Sequence, residues 1–343
     1  MSLFSRDKRT PLTDVDVVLA DLDGVVYAGA GALPHAIESL KKVEASRRLG
    51  YITNNASRTD ASVAAHLTEL GLTVAPDEVV TSPQAAMRLV SGLIPAGSTI
   101  LVVGGEGLVH EVHKAGFRVT RSADDAPAAV VQGFAPEVGW KDLAEAAFAL
   151  KVPEDEGGIP WIATNTDWTI PQSRGVAPGN GTLVSAVHTA IGRLATVAGK
   201  PETPIFEEAV ARFGAKHPLF IGDRLDTDIA GASRAGIESA LVLTGIDRPK
   251  HVLAAAEGSR PTYILGDLRE LDEPYPQTQF KGDTVTVRGA SVRVDGPDVT
   301  ILSEGDRPID LVRAGAEAIW RTGRQIFGFR VPERLYADPF HRP

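Results

Sequence analysis

The sequence predicts an α/β protein: a doubly wound parallel-sheet core, an inserted α/β domain, and a small α+β extension at the C-terminal end. Three observations carry that expectation. Apolar runs of strand length alternate with amphipathic runs of helix length from Val17 to Leu265, the β-α-β rhythm of a parallel sheet. Polar residue pairs and triplets stand after four of these runs, near Asp21, Thr53, Lys200 and Asp223, and are absent from most of the stretch between residues 90 and 195. Beyond Pro274 the rhythm gives way to short alternating strands with glycine turns and one helix.

In chain order, Val17 to Ala20 is an apolar strand that runs into Asp21, Asp23 and Gly24. Residues 34–49 follow as a helix with Ile37, Leu40 and Val43 on one face and Gly50 as its stop. Arg48 to Thr53 reads as a strand ending at Asn54 and Asn55, residues 59–70 as a helix, and residues 78–81 as a strand. In the middle of the chain, residues 99–103, 128–131 and 161–164 read as strands, and 142–150 and 183–194 as helices. The first pattern resumes with a strand over 195–199, a helix over 204–213, a strand over 219–223, a helix over 226–235, and strands over 240–243 and 262–265. The tail reads as strands over 284–287, 291–294 and 299–302 and a helix over 308–322. The expected domains are therefore 1–89 and 196–274 as the two parts of one core, 90–195 as the insertion, and 275–343 as the extension. About 70 residues make a thin core, so the extension is expected to dock on the main body or on a second subunit.

Composition narrows the function classes. The chain has 343 residues, a net charge of −9 and a pI near 5.4. That balance argues against nucleic acid as a partner. With no cysteine, disulfides, thiolate metal sites and a cysteine nucleophile are excluded. The first dozen residues are polar, and no apolar run reaches membrane-spanning length, so the expectation is a cytoplasmic protein that is not membrane-bound.

Strand alternation puts Asp21 and Asp23 on the same side of the chain as it leaves the sheet. Two carboxylates that close repel each other unless a cation or a shared proton lies between them. The pair therefore asks for a metal, acid/base chemistry, or both. Taken singly, each strand-end motif has a plain structural reading: Asp-x-Asp-Gly as a solvated turn, Thr53-Asn54-Asn55 as a turn, Gly199-Lys200-Pro201 as loop punctuation, Gly222-Asp223 as a helix start. Their occurrence together, in this order and all after strands, is the signal.

This ordered set, Asp21-x-Asp23-Gly24-Val25-x-Tyr27, Thr53-Asn54-Asn55-x-Ser57, Gly199-Lys200-Pro201 and Gly222-Asp223-Arg224-x-x-Thr227-Asp228, resembles the haloacid dehalogenase superfamily of phosphohydrolases. It is similar to the capped branch that includes glycerol-3-phosphate, phosphoglycolate, pyridoxal-phosphate and 4-nitrophenyl phosphatases. The resemblance covers residues 14 to 270 and leaves the tail outside. It implies a Mg2+-dependent phosphomonoester hydrolase with an aspartyl-phosphate intermediate. Asp21 is then the nucleophile and Asp23 the general acid/base. Asp21, the backbone carbonyl of Asp23, and Asp223 are the implied metal ligands. Asp228 supports them, Thr53 and Lys200 bind phosphate, and Asn54 and Asn55 orient substrate. It also implies that 90–195 is a specificity cap, in which Asn165, Trp168 and Arg174 stand on segments facing the substrate. Asn180 stands where many relatives have threonine, a departure that leaves that position without an implied role. Glycerol 3-phosphate is the leading substrate by resemblance. Phosphoglycolate, sugar phosphates, pyridoxal phosphate and nucleotides follow, and a non-catalytic metabolite-binding protein is the reading of another class. Oligomeric state stays open between monomer and homodimer.

Other features attract no function. Gly104-Gly105-Glu106-Gly107 lacks the spacing and basic residue of a phosphate loop and reads as a tight strand-to-helix turn. His110 and His113 lack zinc-protease spacing and read as solvated helix residues. Tyr27 reads as packing.

Overall fold

The computed structural model describes residues 9–172 and 174–340. The chain forms two compact units, one made of the residues up to Leu49 and from Ala215 onward, the other of Gly50–Gly214. The polypeptide passes from the first to the second within the strand Arg48–Thr53.

In the first unit four parallel strands lie side by side in chain order: Val17–Ala20, Pro218–Gly222, Glu238–Val242 and Tyr263–Leu265. Their side chains are buried almost without a break, as expected of a parallel sheet covered on both faces. Because the strands are parallel, all four carboxyl ends fall on one edge. That edge receives Asp21, Asp223 and the segment from Leu243 to Asp247.

Register is set at the first pair, where Ala20 stands opposite Ile221 and the Asp21 N–H donates to the Ile221 carbonyl at 2.8 Å. The helix expected over 34–49 occupies Ala36–Glu44, with Leu40 and Val43 buried as its spacing required. Gly50 is not its stop. It lies inside the strand Arg48–Thr53, where the flanking Leu49, Tyr51 and Ile52 are all buried.

The second unit holds a five-stranded parallel sheet in the order Thr196–Val197, Trp161–Ala163, Ala129–Gln132, Thr99–Val103, Arg118–Thr120. It also holds the parallel pairing of Tyr51–Thr53 with Val79–Thr81. Its helix Asp60–Glu69 begins where the sequence placed it: Thr59 is the N-cap, and its hydroxyl accepts the Ser62 N–H at 3.2 Å. The helix Ser82–Leu93 opens on Ser82-Pro83, and the Gln84 side chain reaches back to accept the Thr81 N–H.

The extension is a four-stranded antiparallel sheet, Thr278–Lys281, Thr284–Val287, Ala290–Asp295 and Asp298–Glu304, followed by the helix Pro308–Trp320. The first strand was not expected. Its side chains are exposed or half-buried, so it carries no alternation to read. Val285, Val287, Val292, Val294 and Val299 turn inward onto the helix, and the same apolar cluster takes in Leu241, Leu243, Val252, Leu253 and Ile264. The extension therefore docks on its own chain, within the first unit. Its helix is buried nearly all round, the pattern of a helix enclosed by packed elements on every side. The Trp320 indole N–H donates to the Val252 carbonyl at 3.0 Å.

A buried ionic group ties this helix to the rest of the first unit. The Arg313 guanidinium, 3% exposed, pairs with Asp310 at 2.9 Å and with Glu270, and donates to the Ile264 carbonyl. It stacks 4.5 Å from the centre of the Tyr275 ring. Arg307 extends the group to Glu270 at 2.8 Å and Glu273 at 2.6 Å. Removing one partner of such a pair leaves the others buried and uncompensated, which costs on the order of 3–5 kcal/mol. Arg313→Met is therefore expected to lower unfolding stability by about that much. The urea midpoint checks it; a midpoint unchanged from wild type would show that the group does not tie the extension down.

Candidate active site

The first unit brings together three of the carboxylates that the sequence singled out. One carboxylate oxygen from each of Asp21, Asp223 and Asp228 lies within 4.8 Å of the others. Asp21 is 8%, Asp223 1% and Asp228 0% exposed. Three buried carboxylates at this separation repel strongly in a medium less polarisable than water, and the donor set is hard oxygen alone. That chemistry fits a small divalent cation such as Mg2+.

Backbone holds these side chains. The chain turns sharply after Asp21: Val26 N–H donates to the Leu22 carbonyl and Gly24 N–H to the Tyr27 carbonyl, both at 2.8 Å. Gly24 has φ +81°, and a Cβ there would stand 2.3 Å from Asp223 Oδ2. Glycine is needed both for the conformation and for the close approach. Asp23 lies on the exposed side of this turn.

On the neighbouring strand end, Asp228 Oδ2 accepts the N–H groups of Asp223 and Arg224, each at 3.1 Å. Asp228 reaches them from a single π-helical turn, Leu225–Ile229, that precedes the short helix Ala230–Arg234. The sequence reading had one helix over 226–235. The wider first turn lets the Asp228 carboxylate fold back on its own N-terminal loop.

A third segment, absent from the sequence reading, completes the setting. After the strand Glu238–Val242, the Thr244 hydroxyl donates to the Gly24 carbonyl at 2.7 Å. The Ile246 N–H donates to Asp223 Oδ2 at 2.6 Å, and the Asp247 N–H to the Asp223 carbonyl at 3.1 Å. Asp247 Oδ2 in turn accepts the Leu225 N–H. Burial raises the Asp247 carboxyl above its ordinary range, against the Leu225 N–H, which favours the charged form. The only sequence signal for this loop was its position at the carboxyl end of a parallel strand.

In the second unit, Thr53 ends its strand at 4% exposure, and its hydroxyl oxygen accepts the Asn55 N–H at 3.1 Å. The hydroxyl proton remains as a donor. Asn54 clamps Lys200: its Oδ1 accepts the Lys200 N–H at 2.8 Å and its Nδ2 donates to the Lys200 carbonyl at 3.0 Å. The same Nδ2 donates to Asp167 at 3.1 Å. Asn165, 4% exposed, donates to the Asn54 carbonyl at 2.8 Å and accepts the Asp167 N–H at 3.1 Å. Lys200 is itself 3% exposed. Thus Asn54, Asn165 and Lys200 form one bonded group, and Asp167 joins it. Asn55 is exposed and binds Ser57 and Arg58 of its own turn. Trp168 is 64% exposed, and Arg174 stands exposed in the turn between two antiparallel strands.

A second acidic group in this unit, Asp60, His110 and Glu111, also has ligand atoms within 4.8 Å of one another. His110 and His113 are exposed, as expected. Here the neutralising charge comes from the protein. Lys114 Nζ lies 2.7 Å from Asp60 and 3.6 Å from Glu111, and Gln84 donates to both carboxylates. Burial disfavours the charged form of Asp60, but the Lys114 ammonium outweighs it and holds the carboxyl below its ordinary value.

Comparison with known proteins gives this geometry its family. Residues 18–118 match the haloacid dehalogenase-like hydrolases, and residues 197–271 match a second, HAD-hydrolase-like family. The chain is 44% identical over 315 residues to the D-glycerol 3-phosphate phosphatase of Mycobacterium tuberculosis, covering 89% of this chain and 86% of that one. It is 32% identical to the acid sugar phosphatase of Staphylococcus epidermidis, over 73% of this chain and 94% of the other. The crystal structure of a glycerol phosphate phosphatase from Mycobacterium tuberculosis in complex with magnesium superposes with a TM-score of 0.82 at 42% identity, covering 91% of this chain and 92% of that one. The chain belongs to the haloacid dehalogenase-like hydrolase family. Within it, the protein is a phosphatase with the α/β fold expected from the sequence.

Two outcomes test the site's construction. Gly245→Ala would place a methyl group 2.0 Å from Asp223 Oδ2. It is expected to cut activity by at least tenfold while far-UV circular dichroism stays native; full activity would show that Asp223 has room to move. Lys114→Met is expected to cost about 1 kcal/mol at pH 7. A carboxyl with a lowered folded pKa stabilises above its unfolded value near 3.9, and that contribution disappears as pH falls through the lower folded value. The two urea midpoints should therefore converge below that value, and a constant gap would deny the pairing.

Proposed function

We propose that this phosphatase is a Mg2+-dependent hydrolase of glycerol 3-phosphate that works through an aspartyl-phosphate. The observation that carries the reading is the convergence of Asp21, Asp223 and Asp228 at one strand edge. The similarity to a D-glycerol 3-phosphate phosphatase over 89% of the chain supports the substrate. The resemblance of that fold to one holding magnesium supports the metal.

In this reading, Asp21, the backbone carbonyl of Asp23, and Asp223 would hold Mg2+, and Asp228 keeps the Asp223 loop in place. The cation supplies positive charge that offsets the repulsion between a phosphate dianion and a carboxylate and polarises the phosphoryl oxygens. Asp21 attacks phosphorus, and the bond from phosphorus to the glycerol oxygen breaks. Asp23 gives its proton to that oxygen, and glycerol leaves. Asp23 then takes a proton from water, the oxygen of that water attacks phosphorus, and phosphate departs with Asp21 restored. Exposure suits Asp23 to this exchange with solvent.

The Thr53 hydroxyl proton and the Lys200 ammonium receive the phosphoryl oxygens. Asn54 and Asn165 act by holding Lys200 and the loop before it. Residues 90–195 are proposed as the specificity cap, with Trp168 and Arg174 as its exposed contributors. The core is 1–89 with 196–274, and 275–343 is the extension. The acidic balance supports a small metabolite rather than nucleic acid as partner. Among the described residues no helix is long and apolar enough to cross a membrane, which is compatible with the proposed cytoplasmic setting. A homodimer is the proposed alternative to a monomer, decided by light scattering.

The test is phosphate release from a panel of esters: glycerol 3-phosphate, phosphoglycolate, sugar phosphates, pyridoxal phosphate and nucleotides. Release is expected with Mg2+, to vanish with EDTA, and to fall at least 10^4-fold in Asp21→Asn, since loss of a nucleophile removes several kcal/mol of transition-state stabilisation. The highest kcat/KM is expected for glycerol 3-phosphate. A sugar phosphate ranking far above it would move the substrate toward the activity named for the staphylococcal relative.

A further inference from the structure

We infer that the last described segment of the C-terminal extension, Asp338–Phe340, is an anchor for the loop that positions Asp223 and so steadies the metal site from behind it. This rests on the reading of Asp223 as a metal ligand.

The connection can be followed atom by atom within one compact unit. Asp223 is held by two backbone donors of a single loop, the N–H groups of Ile246 and Asp247. Gly245 packs against the same carboxylate so closely that a Cβ would stand 2.0 Å from Oδ2. Thr244, one residue earlier, holds the Gly24 carbonyl, so the loop touches both acid-bearing turns. Such a loop positions side chains only if it is itself fixed. Asp247 fixes one end by accepting the Leu225 N–H.

The other end is fixed from the extension. Arg248 Nη1 lies 3.1 Å from Asp338 Oδ2, with the two side chains 23% and 24% exposed. Two residues on, the Phe340 ring lies where a Cβ on Gly266 would meet it at 3.2 Å, and Phe340 packs against the cluster that includes Val252 and Leu253. Those two residues belong to the helix Pro249–Leu253 that starts directly after Arg248. The tail thus meets the charged end of the loop through Asp338 and the apolar cluster behind the loop through Phe340.

A half-buried ion pair contributes little to global stability. Its effect on a ligand is of another kind, because groups behind a metal ligand set its orientation, and their loss weakens metal binding by roughly tenfold or more when contact is direct. Arg248 and Asp338 act one step further back, as positioning residues, and the expected effect is about three- to tenfold.

The variants are Asp338→Asn, Arg248→Met, and the exchanged pair Arg248→Asp with Asp338→Arg. The first measurement is hydrogen exchange of the peptide covering 243–248 in metal-free protein. The second is the Mg2+ dissociation constant by calorimetry, alongside kcat at saturating Mg2+. Faster loop exchange in both single variants, with Mg2+ bound three- to tenfold more weakly, kcat nearly unchanged and recovery in the exchanged pair, supports the anchor. Unchanged exchange in both single variants overturns it. Faster exchange with wild-type Mg2+ affinity overturns the step from loop to Asp223. A wild-type protein that takes up no Mg2+ sinks the metal reading of the preceding section, and the exchange data then still decide whether the tail fixes the loop. Near-UV circular dichroism identical among all variants excludes global loosening as the cause.

Discussion

The arrangement depends on mutual repulsion among carboxylates that the fold does not allow to separate. Parallel strands end on a common edge, so Asp21 and Asp223 leave the sheet side by side, and Asp228 folds back onto the backbone of the Asp223 loop. Each is at least nine-tenths buried. Asp228 is held by two N–H groups, Asp223 by the loop after it, and the backbone of Asp21 by the register of its strand pair. The protein holds the acids in an arrangement that a divalent cation completes.

The acid-rich group of the second unit gives a measure of what this means. Asp60 and Glu111 are as buried as Asp21, and their oxygens likewise lie within 4.8 Å of each other. There the chain provides its own counter-charge in Lys114, with Gln84 filling the remaining acceptor sites. The result is a paired carboxyl held below its ordinary range, a structural joint between the helices Asp60–Glu69 and Glu106–Lys114. Proximity of acids therefore does not by itself mark a metal site.

The strand ends were legible in the sequence because their chemistry lies in side chains. Asp21, Asp223 and Thr53 each follow a run of buried strand residues, while Lys200 follows a short, largely exposed strand and was legible only from the Gly-Lys-Pro pattern. The roles of Asn54 and the 244–247 loop were not legible, for a shared reason. Asn54 spends its amide on the backbone of Lys200, a contact 146 residues away along the chain that no local pattern encodes. Ile246 contributes only its N–H, a group that every non-proline residue carries. Periodicity located the helices it identified to within about five residues, but it gave no range for Ser82–Leu93, Glu106–Lys114 or Pro249–Leu253, nor the π-helical turn at Leu225–Ile229, because a widened turn leaves the apolar spacing nearly unchanged. The edge strand Thr278–Lys281 escaped for the opposite reason: with both faces partly exposed, it has no buried side to alternate with.

The extension shows how a thin segment is placed by packing on the rest of the first unit. Its sheet buries one face on the helix Pro308–Trp320, and that helix must bury its other side on the older unit. Apolar burial is non-directional and would tolerate small shifts of the helix. The directional part comes from Arg313, whose planar fork reaches the Ile264 carbonyl, Asp310 and Glu270 at once. It can satisfy all three in only one placement of the helix. Ile264 lies in the outermost of the four parallel strands, so the extension is registered against the same set of parallel strands as the one that delivers Asp21. A segment placed by that rule can carry Asp338 to Arg248 with an accuracy that apolar packing alone does not provide.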